Sequence, residues 1–74
     1  MTRQLVSAHL QLGRHRSWNH PVPARQRGDA IEVQVDGEWR ETVMRRFLGD
    51  AYDRQAVRYR GRMVPVALNW KDWE

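Results

Sequence analysis

The sequence predicts an all-β fold: a small five-stranded barrel over residues 28–74, preceded by an extended basic N-terminal arm over residues 1–27. Three observations support this prediction. Apolar and polar residues alternate along several short stretches, as they do in half-buried strands. Asp36-Gly37, a dipeptide typical of tight hairpins, separates two of these stretches. Five short strands at this spacing are typical of a small closed or half-open barrel.

Residues 1–12 are ambiguous between a strand and a helix. Leu5, Ala8 and Leu12 lie on one face of a helix, whereas Leu10 and Leu12 also fit the alternation of a strand. We expect either element to be ordered only by packing against the rest of the chain.

Residues 13–27 are predicted to form an extended linker. Pro21 and Pro23 each lack a backbone N–H and favour extended conformations. Trp18 stands out in this polar stretch, and we expect its ring to dock on the barrel or on a partner.

The first two predicted barrel strands flank the Asp36-Gly37 turn. Residues 30–35 alternate as a half-buried strand does. Residues 38–48 form a second strand, which is long enough to require the strong bend that barrels impose. The side chains predicted to face the core from these strands are Ile31, Val33, Val35, Trp39, Val43 and Phe47.

A third strand is predicted over residues 55–60, after a loop over residues 49–53. Val57 and Tyr59 share one face of this strand. Arg60-Gly61 is expected to turn the chain.

The chain after this turn is predicted to be irregular. Residues 62–66 form a short fourth strand, in which Pro65 suits a sheet edge. Residues 67–73 are expected to form a single turn of 3₁₀ helix followed by a brief last strand.

Charge is divided unevenly along the chain. Residues 1–28 contain five arginines and no acidic residue, whereas residues 29–74 contain eight basic and nine acidic residues. All three histidines also lie in the first part. Basic N-terminal arms commonly contact nucleic-acid backbones. Twelve of the thirteen basic residues are arginine, which binds phosphate in a bidentate manner, although a GC-rich genome also favours arginine codons.

Several classes of function are excluded or unsupported. The chain contains no cysteine, so disulfides, thiolate metal sites and cysteine nucleophiles are excluded. Ser7 and Ser17 lie in the arm, where no rigid element holds either hydroxyl against a base. His15 and His20 lack the spacing of a helical metal pair. These observations favour a non-enzymatic role without cofactor or metal, and no apolar run approaches the roughly 20 residues of a membrane helix.

The turn chemistry and alternation of residues 28–74 resemble the SH3-like small barrels of the Tudor family. The resemblance implies the fold, and in Tudor domains that read methylated lysine or arginine it implies a cage of about four aromatic side chains. Trp39 and Tyr59 match two cage positions, whereas Arg62 stands at the third. The fourth position falls near Val33 or Val35, so the cage is incomplete. The residues that carry the resemblance are Gly28-Asp29, Ile31, Val33, Asp36-Gly37, Trp39, Val43, Val57, Tyr59 and Gly61.

A second resemblance is to the plasmid-encoded type II dihydrofolate reductases, SH3-like barrels that assemble as tetramers around a central pore. It rests on the spacing from Gly28-Asp29 to Trp39 and on Pro65-Val66-Ala67. The family's Val-Gln-Ile-Tyr run before its proline is Gly61-Arg62-Met63-Val64 here, and its pore lysine falls at about Val33. The resemblance therefore implies the fold and a homo-oligomeric assembly, without reductase activity.

Binding of DNA or RNA is the function that these residues favour. Arg40, Thr42, Met44 and Arg46 are predicted to project outward from one face of the second strand, beside Arg58 and Arg60 of the third. Aromatic side chains nearby are expected to supply stacking surfaces. The candidate phosphate contacts are Arg14, Arg16, Arg25, Arg27, Arg40, Arg46, Arg58 and Arg60. The candidate aromatic contacts are Trp18, Trp39, Tyr52, Tyr59 and Trp70.

The alternative is a protein-interaction or self-assembling module. Acidic residues would then neutralise the arginines as ordinary surface ion pairs, and exposed Trp70, Trp73 and Met63 would form the contact. Four tryptophans in so short a chain also suggest burial between chains. The size fits an accessory protein of a phage, plasmid or other mobile element, and the expected location is cytoplasmic.

Overall fold

The computed structural model describes residues 2–13 and 19–73 of the chain. Among these residues there are eight strands and no helix, so the predicted all-β class is confirmed. The strands are β1 (Thr2–Gln11), β2 (Asn19–Val22), β3 (Ala24–Arg27), β4 (Ala30–Val35), β5 (Glu38–Glu41), β6 (Val43–Arg45), β7 (Arg54–Tyr59) and β8 (Arg62–Trp73).

The strands form two antiparallel sheets, one in the order β2-β1-β8-β7-β6 and the other in the order β3-β4-β5. The chain passes from one sheet to the other at Pro23, between β2 and β3, and at Thr42, between β5 and β6. Gln34 N–H donates to the carbonyl oxygen of Pro23 at 3.0 Å, and Thr42 N–H donates to that of Ile31 at 2.8 Å. The sheets are thus joined at two corners, but no closed barrel is found in the described part of the chain.

Most of the predicted arm and linker is paired strand instead. β1 lies between β2 and β8, with Leu10 opposite both His20 and Val66. β3 pairs with β4 in the other sheet. The reason is hydrophobic, because Leu10 and Val22 belong to the same buried core cluster as the valines of the later strands. These residues therefore build the sheets rather than extend from them.

A β-bulge in β1 explains the ambiguity of residues 1–12. The pairing of β1 with β8 shifts register between Leu5 and Ser7, and the extra residue, Val6, is exposed. Because a bulge resets the alternation of a strand, Leu5, Ala8 and Leu10 are all buried. The spacing of three between Leu5 and Ala8 mimics a helix but belongs to an irregular strand.

The Asp36-Gly37 turn has the predicted conformation. Both residues have positive φ, 52° and 81°, as a two-residue type I′ hairpin requires. This turn places Val35 opposite Glu38 and Val33 opposite Arg40. Side chains of directly opposite residues lie on the same face of a sheet. Since Val33 and Val35 are buried, Glu38 and Arg40 start from the core-facing side of β5.

The predicted core face of residues 38–48 is consequently wrong. Trp39 pairs with Gln34 on the outer face, and its exposed fraction is 36%. Val43 is 51% exposed, and Phe47 is half-buried. The register of the Asp36-Gly37 hairpin places Trp39 on the outer face, and Val43 is exposed after the chain has passed into the other sheet.

The predicted strong bend of this segment occurs at Thr42. The Thr42 side chain is buried, in contrast to its predicted outward position. Its hydroxyl oxygen lies 3.1 Å from the carbonyl oxygen of Ile31 and 2.6 Å from the side-chain oxygen of Gln55. One hydroxyl therefore connects the corner to both β4 and β7.

β7 and β8 form the second tight hairpin, around Arg60-Gly61 as predicted. β8 is longer than expected, and no 3₁₀ turn interrupts it in the described residues. It stays extended because it pairs with β1 from Val66 to Trp73. Pro65 lies just beyond that pairing and is opposite only Ala56, so its missing N–H breaks no bond to β1.

The core lies between the two sheets. Its largest fully buried side chains come from four strands, β1, β4, β7 and β8. Each such side chain contributes about 1.5–3 kcal/mol relative to leaving it in water. These side chains are Leu10, Val33, Val35, Val57 and Val64.

Candidate nucleic-acid interface

The arginines divide into two groups according to whether a carboxylate neutralises them. Five have a guanidinium nitrogen within 4.0 Å of a carboxylate oxygen. Exposed pairs of this kind add little stability, but each cancels a local positive charge. The pairs are Arg3–Asp72 at 3.8 Å, Arg25–Glu32 at 2.8 Å, Arg40–Glu38 at 3.3 Å, Arg46–Asp53 at 3.2 Å and Arg54–Asp50 at 4.0 Å.

The second group is concentrated on the β7–β8 hairpin. Arg58, Arg60 and Arg62 alternate along it and are all exposed. None of them forms an ion pair with a carboxylate of the described residues, and the same holds for Arg27 and Arg45. We call Arg58, Arg60 and Arg62 the hairpin patch. It is a concentration of positive charge that the fold leaves uncompensated.

The backbone of the hairpin holds the patch in a defined shape. Arg60 and Gly61 have φ of 50° and 83°, as in the first turn, and Tyr59 lies opposite Arg62 while Arg58 lies opposite Met63. Arg58 and Arg62 therefore start from opposite faces of the hairpin, with Arg60 at the turn between them. Arg58 Nη1 donates to the carbonyl oxygen of Gly61 at 3.4 Å. Positive φ is unusual for arginine, so the tight turn is what sets the position of Arg60.

An aromatic layer adjoins the hairpin patch. The guanidinium carbon of Arg60 lies 5.1 Å from the centroid of the Tyr59 ring, within the range of a cation–π contact. The ring of His20, on β2, stacks on Tyr59 with centroids 6.4 Å apart and 30° between the planes. Tyr59 packs against the core cluster. The layer therefore connects the charged hairpin to the interior.

Arg40 occupies a different environment from the one expected for a surface arginine. It starts from the core-facing side of β5, and its Nη1 donates to the carbonyl oxygen of Arg58 at 3.4 Å while its Nη2 contacts Glu38. Its Nε is buried and has no hydrogen-bond partner among the described residues. Arg40 thus links β5 to the base of the β7–β8 hairpin and does not share one outward face with Arg58.

Arg25 and Trp39 form a unit on the outer face of the three-stranded sheet. The guanidinium carbon of Arg25 lies 4.0 Å from the Trp39 ring centroid, while its Nε donates to Glu32 at 2.8 Å. One face of the indole is therefore covered by the chain itself. Trp39 does not share a surface with Tyr59, which packs against the core, so the two matching cage positions are not brought together.

The other predicted contacts are scattered. Arg46 is paired with Asp53, beside the exposed ring of Tyr52. Trp70 is half-buried under Arg3, whose guanidinium carbon lies 4.7 Å from the ring centroid. Arg27 is exposed at the end of β3. Arg14, Arg16 and Trp18 lie outside the described residues.

An open depression of about 310 Å³ lies where β1 ends and β8 begins. Phe47, Met63 and Pro65 form apolar parts of its wall, and Gln11, Arg54 and Arg62 form polar parts. Sequence reasoning named Met63 only for a protein contact and Arg62 only as the residue at a cage position, and it gave the other wall residues no site role. No local signal marks them, because three distant segments of the chain meet there.

The described residues contain no group of three or more histidine, cysteine, aspartate or glutamate side chains that could hold a metal ion. A search of the same part of the chain finds no helix that is long and apolar enough to cross a membrane. Comparison of the chain with protein-family models, with curated proteins and with solved structures finds no match.

Proposed function

We propose that this chain is a non-enzymatic nucleic-acid-binding protein in which the hairpin patch contacts phosphates. The observation that carries the proposal is the set of three exposed arginines without carboxylate partners among the described residues, all on one hairpin. Arginine in such a position binds phosphate by displacing counterions. The Tyr59–His20 layer beside it offers aromatic surface of the kind that nucleic-acid-binding sheets use.

Roles within this proposal differ among the predicted arginines. Arg58 and Arg60 contact phosphates directly, with Arg62 added, and Arg27 and Arg45 extend the contact. Arg40 is turned toward the hairpin, where it donates to the Arg58 carbonyl oxygen, and it is not a phosphate contact. Arg25 and Arg46 contribute less because Glu32 and Asp53 neutralise them. Arg14 and Arg16, with Trp18, remain predicted contacts.

The fold that accompanies this proposal is an SH3-like small barrel. It is supported by the corners at Pro23 and Thr42, where single segments serve both sheets, as bent strands do in small barrels. Fold alone does not imply function, so the functional proposal rests on the hairpin patch.

The dependence of affinity on salt tests the proposal. Three to five phosphate contacts predict a log–log slope of about −3 to −4.5 for duplex DNA between about 50 and about 200 mM salt. Replacing Arg58 and Arg60 by alanine is expected to remove about two units of slope. Affinity that ignores salt, or no binding to duplex or single strands at low salt, would refute the proposed function.

A protein-interaction or self-assembling role is favoured by a separate observation. Val43, Met44, Leu48 and Tyr52, on β6 and the loop after it, have exposed fractions of 51%, 57%, 106% and 80%. Exposed apolar side chains concentrated in one part of a protein often mark contacts between proteins, and these four lie within ten residues of the chain. Light scattering at micromolar concentration distinguishes the two roles: a particle well above 8.9 kDa supports assembly, and a monomer argues against self-assembly.

A further inference from the structure

The depression at the end of β1 combines apolar walls with uneven charge. Phe47, Met63 and Pro65 are half-buried and leave part of their apolar surface open to it. Its volume of about 310 Å³ lies at the lower end of the range for small-ligand sites. The occupant that fits is therefore a small group with at least one flat apolar face.

The two arginines of the depression are not equivalent. Arg54 contacts Asp50 at 4.0 Å and donates to the side-chain oxygen of Gln11. Arg62 is exposed and forms no ion pair among the described residues. The depression therefore carries one uncompensated positive charge, which lies at its rim, and selects a ligand with an adjacent negative charge.

The contact between Arg54 and Gln11 also orients an amide. Because the Gln11 side-chain oxygen accepts from Arg54, its NH₂ group is left to donate elsewhere. No hydrogen bond from that nitrogen to another described residue is present. A ring carbonyl or ring nitrogen of a planar ligand is a suitable acceptor.

The position of Arg62 connects the depression to the hairpin patch. Arg62 belongs to both, since it follows the Arg60-Gly61 turn and lines the depression. Arg58 of the hairpin patch lies directly opposite Met63 of the wall, and directly opposite residues share a face of the sheet. A nucleic-acid strand whose phosphate contacts Arg58 would therefore pass the apolar wall on the same face, with Arg62 at the rim.

We infer that the depression receives one unstacked base of a single-stranded nucleic acid, with Arg62 holding the phosphate next to that base. The inference rests on the proposed function and adds to it a preference for single-stranded over duplex nucleic acid. Bases in a duplex are stacked and expose only their edges, whereas single strands offer ring faces to aromatic and apolar side chains. Single strands are therefore bound more tightly than duplexes of equal length.

Oligonucleotides with and without bases test the inference on the unaltered protein. Fluorescence anisotropy would compare a single strand, an abasic strand of the same length and a duplex, all at one salt concentration. Loss of a base stack is expected to weaken binding about tenfold, so the abasic strand should bind about tenfold more weakly than the strand with bases. Equal affinity for the two strands would overturn the inference while leaving the phosphate contacts of the proposed function intact. No binding of any probe would overturn both.

Methyl NMR locates the base within the protein. The methyl resonance of Met63 is expected to shift when adenosine monophosphate is added, whereas that of Met44, exposed on β6 outside the depression, serves as the internal control and should not move. An equal shift of Met63 with inorganic phosphate would show an anion site without base recognition and would overturn the inference.

Substitutions in the binding assay separate the base contact from the phosphate contact. Phe47→Ala should weaken the binding of the single strand about tenfold and the binding of the duplex by less than about twofold, while Arg58→Ala should weaken the binding of both. Equal loss for both probes in Phe47→Ala would also count against a base subsite.

Discussion

Replacing one valine methyl by a hydroxyl at two positions tests which of two valines, one on β4 and one on β6, faces the core. Val33 is fully buried, whereas Val43 is 51% exposed, although simple alternation along the sequence places both in the core. Valine-to-threonine replacement conserves side-chain shape and the β-branched character. The two substitutions therefore differ only in the environment that receives the hydroxyl.

The expected effects follow from burial. Val33→Thr loses the transfer free energy of one methyl group, about 0.8 kcal/mol, and buries a hydroxyl without an assigned partner, which costs about 1–3 kcal/mol. A loss of about 2 kcal/mol lowers the melting temperature of so small a domain by about 8–16 °C. Val43→Thr is expected to change the unfolding free energy by less than about 0.5 kcal/mol, as exposed substitutions usually do.

Urea denaturation followed by circular dichroism measures both variants under one set of conditions. Equal slopes against urea would show that both variants unfold the same structure. A loss for Val43→Thr as large as that for Val33→Thr would show that residue 43 faces the core. The outward position of Val43 on β6 would then be refuted.

Three further substitutions probe the Asp36-Gly37 turn, the corner at Thr42 and the contact that Arg40 of β5 makes with the β7–β8 hairpin. Gly37→Val should cost more than about 1 kcal/mol because Gly37 has φ of 81°, and an unchanged melting temperature would contradict the type I′ turn. Thr42→Val should cost about 1–2 kcal/mol because it removes the hydroxyl whose single proton is donated to the Ile31 carbonyl oxygen or to the Gln55 side-chain oxygen. Thr42→Ser keeps the hydroxyl and serves as the control; equal losses of unfolding free energy in the two variants would argue against a hydrogen bond at the corner. Arg40→Met should leave the unfolding free energy unchanged or raise it, because it removes a buried Nε without a partner among the described residues, and a loss above about 2 kcal/mol in a melting experiment would show that the Arg40 contacts stabilise the fold.

The tight turns and the strands next to them were predictable because their signals are local. Asp36-Gly37 determines both φ angles and the pairing of its neighbours, and the alternation in β4 is undisturbed. The same turn also determines which face of β5 is buried, since Val35 must lie opposite Glu38. The pairing fixed by the turn places Trp39 on the outer face. The alternation of apolar residues along residues 38–48 does not by itself show which face is buried.

The N-terminal strands and the depression were not predictable in the same way. The bulge at Val6 disrupts the period of β1. Pro21 lies in β2 and Pro23 between β2 and β3, in a stretch whose sequence is typical of a linker. β1 is ordered by β8, from which it is separated by most of the chain. The depression likewise depends on Gln11, Phe47 and Arg62 meeting after folding. Local propensity contains no information on contacts of this separation.

The distribution of ion pairs could not be predicted from the sequence either. Arginines occur along the whole chain, and their spacing does not show which of them a carboxylate neutralises. Arg25 and Arg46 were as plausible as Arg58 and Arg60 until Glu32 and Asp53 were placed beside the first two. The functional proposal depends on this difference rather than on net charge.

The most direct test compares two triple variants that remove the same charge from different places. One replaces the hairpin patch, Arg58, Arg60 and Arg62, by alanine, and the other replaces Arg3, Arg25 and Arg46, which are paired with carboxylates. Carboxylates left behind in the second variant lower its affinity by repulsion, so the slope of log affinity against log salt is compared instead. The hairpin variant should lose about 2.7 units of slope for duplex DNA, about 0.9 for each phosphate contact, and the paired variant less than about one unit. Equal losses in the two variants would contradict the claim that the hairpin patch is the phosphate-binding surface.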